Sequence, residues 1–209
     1  LFVLVIAFLA GLVANIPNIT GINEERFFSK NIAFIVFPFL SFYFISSQKL
    51  ALNKFLFPAL AILISVFYIN LLPYNLKSNS IVLAQIHLPL FLWAVLGYAF
   101  LGNTYNDSQK RIDFLKFNGD LVVICAIMFL SGMLFSIMTL GLFELIGLDI
   151  AKFYFQHIAI WGAAAIPIVG TYLIQSNPQL ISKVSPIIAK IFAPLVFLNL
   201  FKQLFKPNP

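Results

Sequence analysis

Charged side chains are scarce in this chain: they make up 10% of its 209 residues, against about 25% in an average soluble domain. Hydrophobic residues make up 61%, against about 45–50% in soluble domains. A soluble fold of this size could not bury so much apolar surface, so the composition predicts a protein of the lipid bilayer. The net charge of +6 comes from lysines and arginines spread over loops, which favours contact with lipid headgroups and predicts no nucleic-acid partner.

Cysteine and the usual catalytic motifs are almost absent as well. The single Cys125 excludes a disulfide within the chain and a cysteine-based metal site. The sequence contains no P-loop, no glycine-rich nucleotide motif, no nucleophile–base pair and no HxH or HExxH spacing. We therefore expect no cofactor and no bound metal, and an enzyme is disfavoured. The chain also begins without Met, at Leu1 and inside an apolar run, so we expect a part of a longer protein or a chain that lacks its first residues.

The apolar runs are continuous and of helix length, whereas the strands of a membrane barrel alternate apolar and polar residues. The sequence therefore predicts an all-α polytopic transmembrane helix bundle. It forms one domain over residues 1–209, with a weak boundary in the polar connector 102–120. We expect about seven spans, at residues 1–15, 31–47, 52–72, 81–101, 121–143, 155–175 and 187–205. The last run contains Pro194 and lysines, so it either crosses the bilayer or lies in the interface.

Basic residues are divided unequally between the two sides of the predicted bundle. We call the side that contains Gly21 face A and the side that contains Lys49 face B. The internal loops of face A carry four basic residues: Arg26, Lys30, Lys77 and Lys152. Those of face B carry seven: Lys49, Lys54, Lys110, Arg111, Lys116, Lys183 and Lys190. Because lysine and arginine are enriched in cytoplasmic loops, the loops with Lys49, Arg111 and Lys183 are predicted to be cytoplasmic. Lys202 and Lys206 in the tail would lie on face A and reduce the excess of basic residues on face B to one.

Small residues in the fifth and sixth spans predict close packing between helices. Gly132 and Ser136 are four positions apart in the fifth span, and the sixth contains the stretch from Gly162 to Thr171, with small residues at 162–165 and at 170–171. Small side chains let the backbones of two membrane helices approach each other. We expect both helices to pack against other helices.

The polar connector before the fifth span predicts an interfacial helix that Asp107 or Ser108 caps. Its apolar side chains are expected to dip into the headgroup region; they are Ile112, Leu115 and Phe114 or Phe117. Two oppositely charged pairs have i, i+4 spacing, Asp107–Arg111 and Lys116–Asp120. Arg111, Lys116 and Asp120 either anchor this helix at the interface or dock a protein partner.

Three ionisable side chains are predicted near face A: Glu144, His157 and His87. Glu144 ends the fifth span, where the helix dipole disfavours a carboxylate. One interpretation is that the three are interfacial side chains that reach water. The other is a half-buried pocket for a proton, an ion or a small polar ligand, since ionisable groups inside a membrane are costly and often functional.

Three segments carry a resemblance: 111–120, 139–143, and 167–175 continuing to Asn177 and Pro178. Over roughly its second half, the chain resembles the bacterial membrane proteins known as domain of unknown function 4153. At the start of the fifth predicted span this chain has Asp120, whereas the family has Glu. The resemblance implies a multi-pass protein of the bacterial inner membrane, and it supplies no catalytic or binding residues.

Two functions remain open. The first is a permease or transporter for a small solute or ion, which would use a cavity lined by Glu144, His157 or His87. The second is a non-catalytic membrane subunit or sensor that docks a membrane-protein partner, or a second copy of itself, through the connector and the small-residue helices.

Overall fold

The computed structural model describes residues 1–73 and 78–177, and this part of the chain contains helices and no strand. The helices confirm the all-α class, and five of the helical segments are long and apolar enough to cross a membrane, which is consistent with a membrane protein. The predicted span 187–205 lies outside the described residues. The α-helices are α1 (Phe2–Ala14), α2 (Ile16–Thr20), α3 (Glu24–Ser47), α4 (Leu52–Leu71), α5 (Asn79–Leu101), α6 (Ser108–Leu145), α7 (Ala151–Tyr154) and α8 (Ile160–Ser176), and a π-helical turn, Phe155–Ala159, joins the last two.

Helix α3 begins seven residues earlier than the sequence pattern predicts. The side chain of Asn23 accepts a hydrogen bond from the backbone N–H of Arg26 at 2.9 Å, and Glu24 and Glu25 occupy the first turn. Both features stabilise a helix N-terminus, the first by satisfying a free N–H group and the second through the helix dipole. Lys30 therefore lies inside the helix, which corrects its assignment to a loop.

Helix α6 is continuous from the polar connector to the end of the fifth predicted span, so the connector is not a separate interfacial helix. The carboxylate of Asp107 accepts a hydrogen bond from the N–H of Gln109 at 2.8 Å, which confirms the predicted cap. The helix has 38 residues. At 1.5 Å per residue it is about 57 Å long, well beyond the roughly 30 Å of a bilayer core.

The first half of α6 packs into the bundle through aromatic side chains. Phe114 lies 5.3 Å from Phe100, and Phe117 lies 5.2 Å from Phe44, measured between ring centroids. Both phenylalanines are buried, so the expectation that they enter the headgroup region is wrong. Their i, i+3 spacing, continued by buried Leu121, places them on the same side of α6, toward α3 and α5.

The centre of the bundle is formed by α1, α3, α8, the first half of α6 and the end of α5, which contributes Leu96. Helices α1 and α8 pack tightly at Gly11, where a Cβ atom would overlap the indole ring of Trp161. Similarly, a Cβ atom on Gly170 would lie 3.3 Å from Leu121 of α6. A second apolar cluster, around Ile69 and Leu92, joins α3, α4 and α5.

Polar side chains connect the helices at face A. The amides of Asn31 and Asn70 exchange two hydrogen bonds, of 3.1 and 2.8 Å, between α3 and α4. Lys30, which is 3% exposed, donates from Nζ to the carbonyl oxygen of Leu72 at the end of α4. A cation at a helix C-terminus interacts favourably with the exposed carbonyl groups there. Lys30 and the asparagine pair therefore fix the end of α4 against α3.

Candidate functional site

The three residues of the predicted face A pocket do not line a common cavity in the described part of the chain. Glu144 is exposed and lines a concavity of about 480 Å³ at the turn after α6. His87 lines a crevice of about 260 Å³ between α4 and α5, beside Ser65 and Tyr68. His157 lies in the π-helical turn, is exposed, and lines neither cavity.

Both histidines have local partners on their own helical segment. The Nδ1–H group of His87 donates to the carbonyl oxygen of Leu83 at 2.8 Å. The ring of His157 stacks on that of Phe153 with centroids 4.8 Å apart. In the part of the chain that the structure describes, no three His, Cys, Asp or Glu side chains are grouped so that they could hold a metal ion. A transport site built on these residues stays a prediction.

The two charge pairs predicted in the connector, Asp107–Arg111 and Lys116–Asp120, do not form ion pairs within the described residues. The ion pair at 4.0 Å or less in this part of the chain is Lys110–Asp113. The guanidinium of Arg111 instead donates to the carbonyl oxygen of Asn106 at 3.5 Å. Lys116 is exposed and Asp120 is half-exposed. These charges do not bind one another, so they are available to headgroups, water or a partner.

The outward side of the first half of α6 forms an exposed stripe. Side chains at Ile112, Leu115 and Val122 are 46%, 57% and 69% exposed. Gly119 lies among them, and no described atom outside its own helix comes within 4 Å of a Cβ placed there. The stripe, defined as Arg111, Ile112, Leu115, Lys116, Gly119 and Val122, combines apolar side chains, two basic groups and a glycine on the side opposite to the buried Phe114 and Phe117.

The second half of α6 borders an apolar cleft of about 590 Å³. Its other wall is the segment formed by α7, the π-helical turn and the first half of α8. The glycines on either side, Gly132 and Gly162, have no described atom within 4 Å of a Cβ position outside their own helices. The helices that contain them were expected to pack against other helices. Within the described residues neither of these two glycines is packed in this way, but α6 and α8 do pack against each other at Gly170, which confirms the expectation for the helices themselves.

One polar contact crosses the cleft. The hydroxyl groups of Ser136 and Tyr154 are 2.9 Å apart, and Ser136 also lies 2.7 Å from the carbonyl oxygen of Gly132. Since the hydroxyl of Ser136 has one hydrogen and the carbonyl can only accept, Tyr154 is the donor to Ser136.

Sequence reasoning did not identify Lys30, Tyr154 or the acceptor Leu72 as connecting residues. For Lys30, the signal was present in the helix-start pattern of Asn23 followed by two glutamates, which places the lysine two turns into α3. The Ser136–Tyr154 contact depends on how two helices cross, and the sequence contains no local signal for it.

No family model matches this chain, and comparison with curated proteins and with solved structures finds no match. The resemblance described from the sequence therefore stays a prediction.

Proposed function

We propose that this chain is a non-catalytic subunit of a membrane assembly and that it docks a protein partner along the exposed stripe of α6. The observation that carries the proposal is the two-sided character of this half of the helix. One side is buried in the bundle through Phe114, Phe117 and Leu121. The opposite side leaves the apolar side chains Ile112 and Leu115 exposed beside two basic groups.

A protein partner fits this stripe better than lipid alone. Lipid chains need no small residue to pack against a helix, whereas a glycine such as Gly119 allows a second helix backbone to approach closely. Arg111 and Lys116 flank the apolar side chains and would select a partner surface that carries acidic residues. The length of α6 exceeds the bilayer core, so the start of the helix reaches the membrane surface, where such a partner is accessible.

We also propose that the chain crosses a bacterial inner membrane seven times, with face B in the cytoplasm. Support comes from the apolar runs at both ends of the chain, which add α1 and residues 187–205 to the five long helical segments. The excess of basic residues on face B supports the orientation. In this arrangement the stripe begins on the cytoplasmic side, where Asp120 is close to the membrane boundary.

Site-specific photocrosslinking in intact cells tests the docking proposal. A photoreactive side chain replaces Leu115 or Gly119 in the stripe, and control variants carry it at Leu130 or Leu134, which are also exposed on α6 but lie outside the stripe. We expect a discrete protein adduct from the two stripe positions and none from the controls. The double substitution Arg111→Glu and Lys116→Glu should reduce the adduct strongly. Adducts with lipid alone, or equal protein adducts from all four positions, would overturn the proposal.

A further inference from the structure

The apolar cleft beside α6 is a groove that one more helix can cover. Helices α6 and α8 are in contact around Gly170, where Leu121, Ile124 and Cys125 pack against the glycine. Toward face A the cleft between α6 and the α7–α8 segment is lined almost entirely by apolar side chains, among them Met133, Phe135, Phe155 and Ile158. Its two walls touch at Ser136 and Tyr154, so the cleft is a groove that is open on its outer side. The most apolar 18-residue stretch of α6 is only 6% buried, against 56% in α3.

We infer that residues 187–205 of this same chain lie over the cleft and cover it as the seventh membrane-spanning helix. The inference rests on the seven-span proposal and is independent of the docking stripe, which lies on the first half of α6. These residues lie outside the described part of the chain, so the argument uses their length, their starting point and their charges.

The length and the starting point both fit the cleft. Nineteen residues in a helix are about 28 Å long, enough to cross a bilayer core and to cover the cleft from Met128 to Leu140. The described chain ends at Asn177, seven residues after Gly170 and therefore about 10 Å along α8 from the closed end of the cleft. The nine residues 178–186 can span up to about 30 Å, and neighbouring helix axes are only about 8–10 Å apart.

The shapes of the two surfaces are complementary. The run contains large apolar side chains, among them Phe192, Leu195 and Phe197. The cleft offers open space at Gly132 and Gly162, where no described atom from another part of the chain meets a Cβ position. Large side chains that enter the holes above glycines give close contact between membrane helices.

The charges at the open end are complementary as well. Leu140 lines both the apolar cleft and the concavity that contains Glu144 and Asp149. Glu144 lies in the last turn of α6, where the free carbonyl groups of the helix disfavour a carboxylate, and it has no ion-pair partner within 4.0 Å in the described residues. A helix that runs from face B to face A over residues 187–205 carries Lys202 and Lys206 to this end, while Lys190 near its start can extend toward face B.

Disulfide mapping in the full chain tests the inference. Cys125 is first replaced by alanine, and a protease site is inserted between residues 178 and 186. Gly132→Cys or Gly162→Cys is then combined with single cysteines at positions 191 to 199 in turn. We expect both glycine positions to trap the C-terminal fragment after cleavage, with the strongest trapping at every third or fourth position, because disulfides need Cα atoms about 4.4–6.8 Å apart.

The matched control is Leu134→Cys, an exposed position of α6 that does not line the cleft. It should trap no fragment. Equal trapping from Leu134→Cys, or no trapping from either glycine position, would overturn the inference. Trapping that occurs only between two chains would show instead that a second copy fills the cleft.

A charge exchange tests the orientation of the segment. Glu144→Lys should slow trapping by at most about fivefold, because trapping follows the fraction of chains in which the segment covers the cleft, and loss of an exposed ion pair changes that equilibrium by up to about 1 kcal/mol. Adding Lys202→Glu and Lys206→Glu should restore most of the loss. If the restored variant traps no faster than Glu144→Lys alone, the lysines do not lie beside Glu144, and the assigned direction of the segment is wrong.

Discussion

The phenol of Tyr154 donates a hydrogen bond to the hydroxyl oxygen of Ser136 over 2.9 Å, and this contact joins α7 to α6 across the apolar cleft. Tyr154 is only 7% exposed, so its O–H group has little access to water. The hydroxyl of Ser136 keeps a second partner, the carbonyl oxygen of Gly132 on its own helix. Tyr154 therefore loses its hydrogen-bond partner without Ser136, whereas Ser136 keeps one without Tyr154.

This inequality predicts that Ser136→Ala destabilises the protein more than Tyr154→Phe. Loss of the serine leaves a buried phenol without an acceptor, at a cost of about 1–3 kcal/mol, whereas loss of the phenol removes one hydrogen bond worth about 0.5–1.5 kcal/mol. The double variant should be more stable than Ser136→Ala alone, because neither partner is then left unpaired. Unfolding free energies of the purified protein in bicelles measure all three variants, and equal losses in both single variants would contradict the assigned donor.

A second prediction concerns the close approach of α1 and α8. Gly11→Ala would place a methyl group inside the indole ring of Trp161, so one of the helices must move. Such overpacking costs typically about 1–3 kcal/mol. Gly119→Ala is the matched control, because no described atom of another element meets a Cβ there and alanine is the better helix former. The same unfolding measurement should show a loss for Gly11→Ala and none for Gly119→Ala; a similar loss in both would contradict the contact.

The helical class and the positions of the long helices were predictable because they follow from length and composition. The ends of apolar runs are visible in the sequence, and Asp107 is visible as a cap because it precedes the helix and binds only its own first turn. The start of α3 was missed because a charged first turn interrupts the hydrophobic pattern, although Asn23, Glu24 and Glu25 favour a helix. The ends of helices were thus predictable from local sequence, except where charged residues were interpreted as a loop.

The contacts between helices were less predictable. Gly132 and Gly170 have the same chemistry and both lie in membrane helices, yet one faces open space among the described residues and the other is packed. Which glycine is packed depends on where α6 and α8 cross, and no residue spacing within one helix determines that. For the same reason the positions of Glu144, His157 and His87 along the chain predicted one pocket at face A, whereas Glu144 and His87 line different cavities and His157 lines neither.

A third prediction concerns the amide pair between α3 and α4. Asn70→Ala removes both hydrogen bonds to Asn31, whose side chain is buried but keeps the carbonyl oxygen of Phe27 as an acceptor. Hydrogen bonds between membrane helices average about 0.6 kcal/mol, so we expect a loss of about 1 kcal/mol. Ser65→Ala serves as the control, because that hydroxyl donates only to Ala61 on its own helix. In a double-mutant cycle Asn31→Ala and Asn70→Ala should be non-additive, and strict additivity would show that the amides are not coupled.

The last prediction concerns the start of α6, on which the docking stripe depends. Asp107→Ala removes the acceptor for the N–H of Gln109, and loss of such a cap costs about 1 kcal/mol. Asp113→Ala removes an exposed ion pair with Lys110, 4.0 Å long, and an exposed hydrogen bond of 3.3 Å from the side chain of Gln109. Each contributes at most about 0.5 kcal/mol, and neither satisfies a backbone N–H group of the first turn. Hydrogen exchange of the backbone amides of residues 109 to 111 measures the local effect. Exchange should accelerate about fivefold in Asp107→Ala and much less in Asp113→Ala. If both substitutions accelerate exchange equally, Asp107 does not cap the helix, and the first turns of α6 would not hold Arg111 and Ile112 in the fixed register that the docking stripe requires.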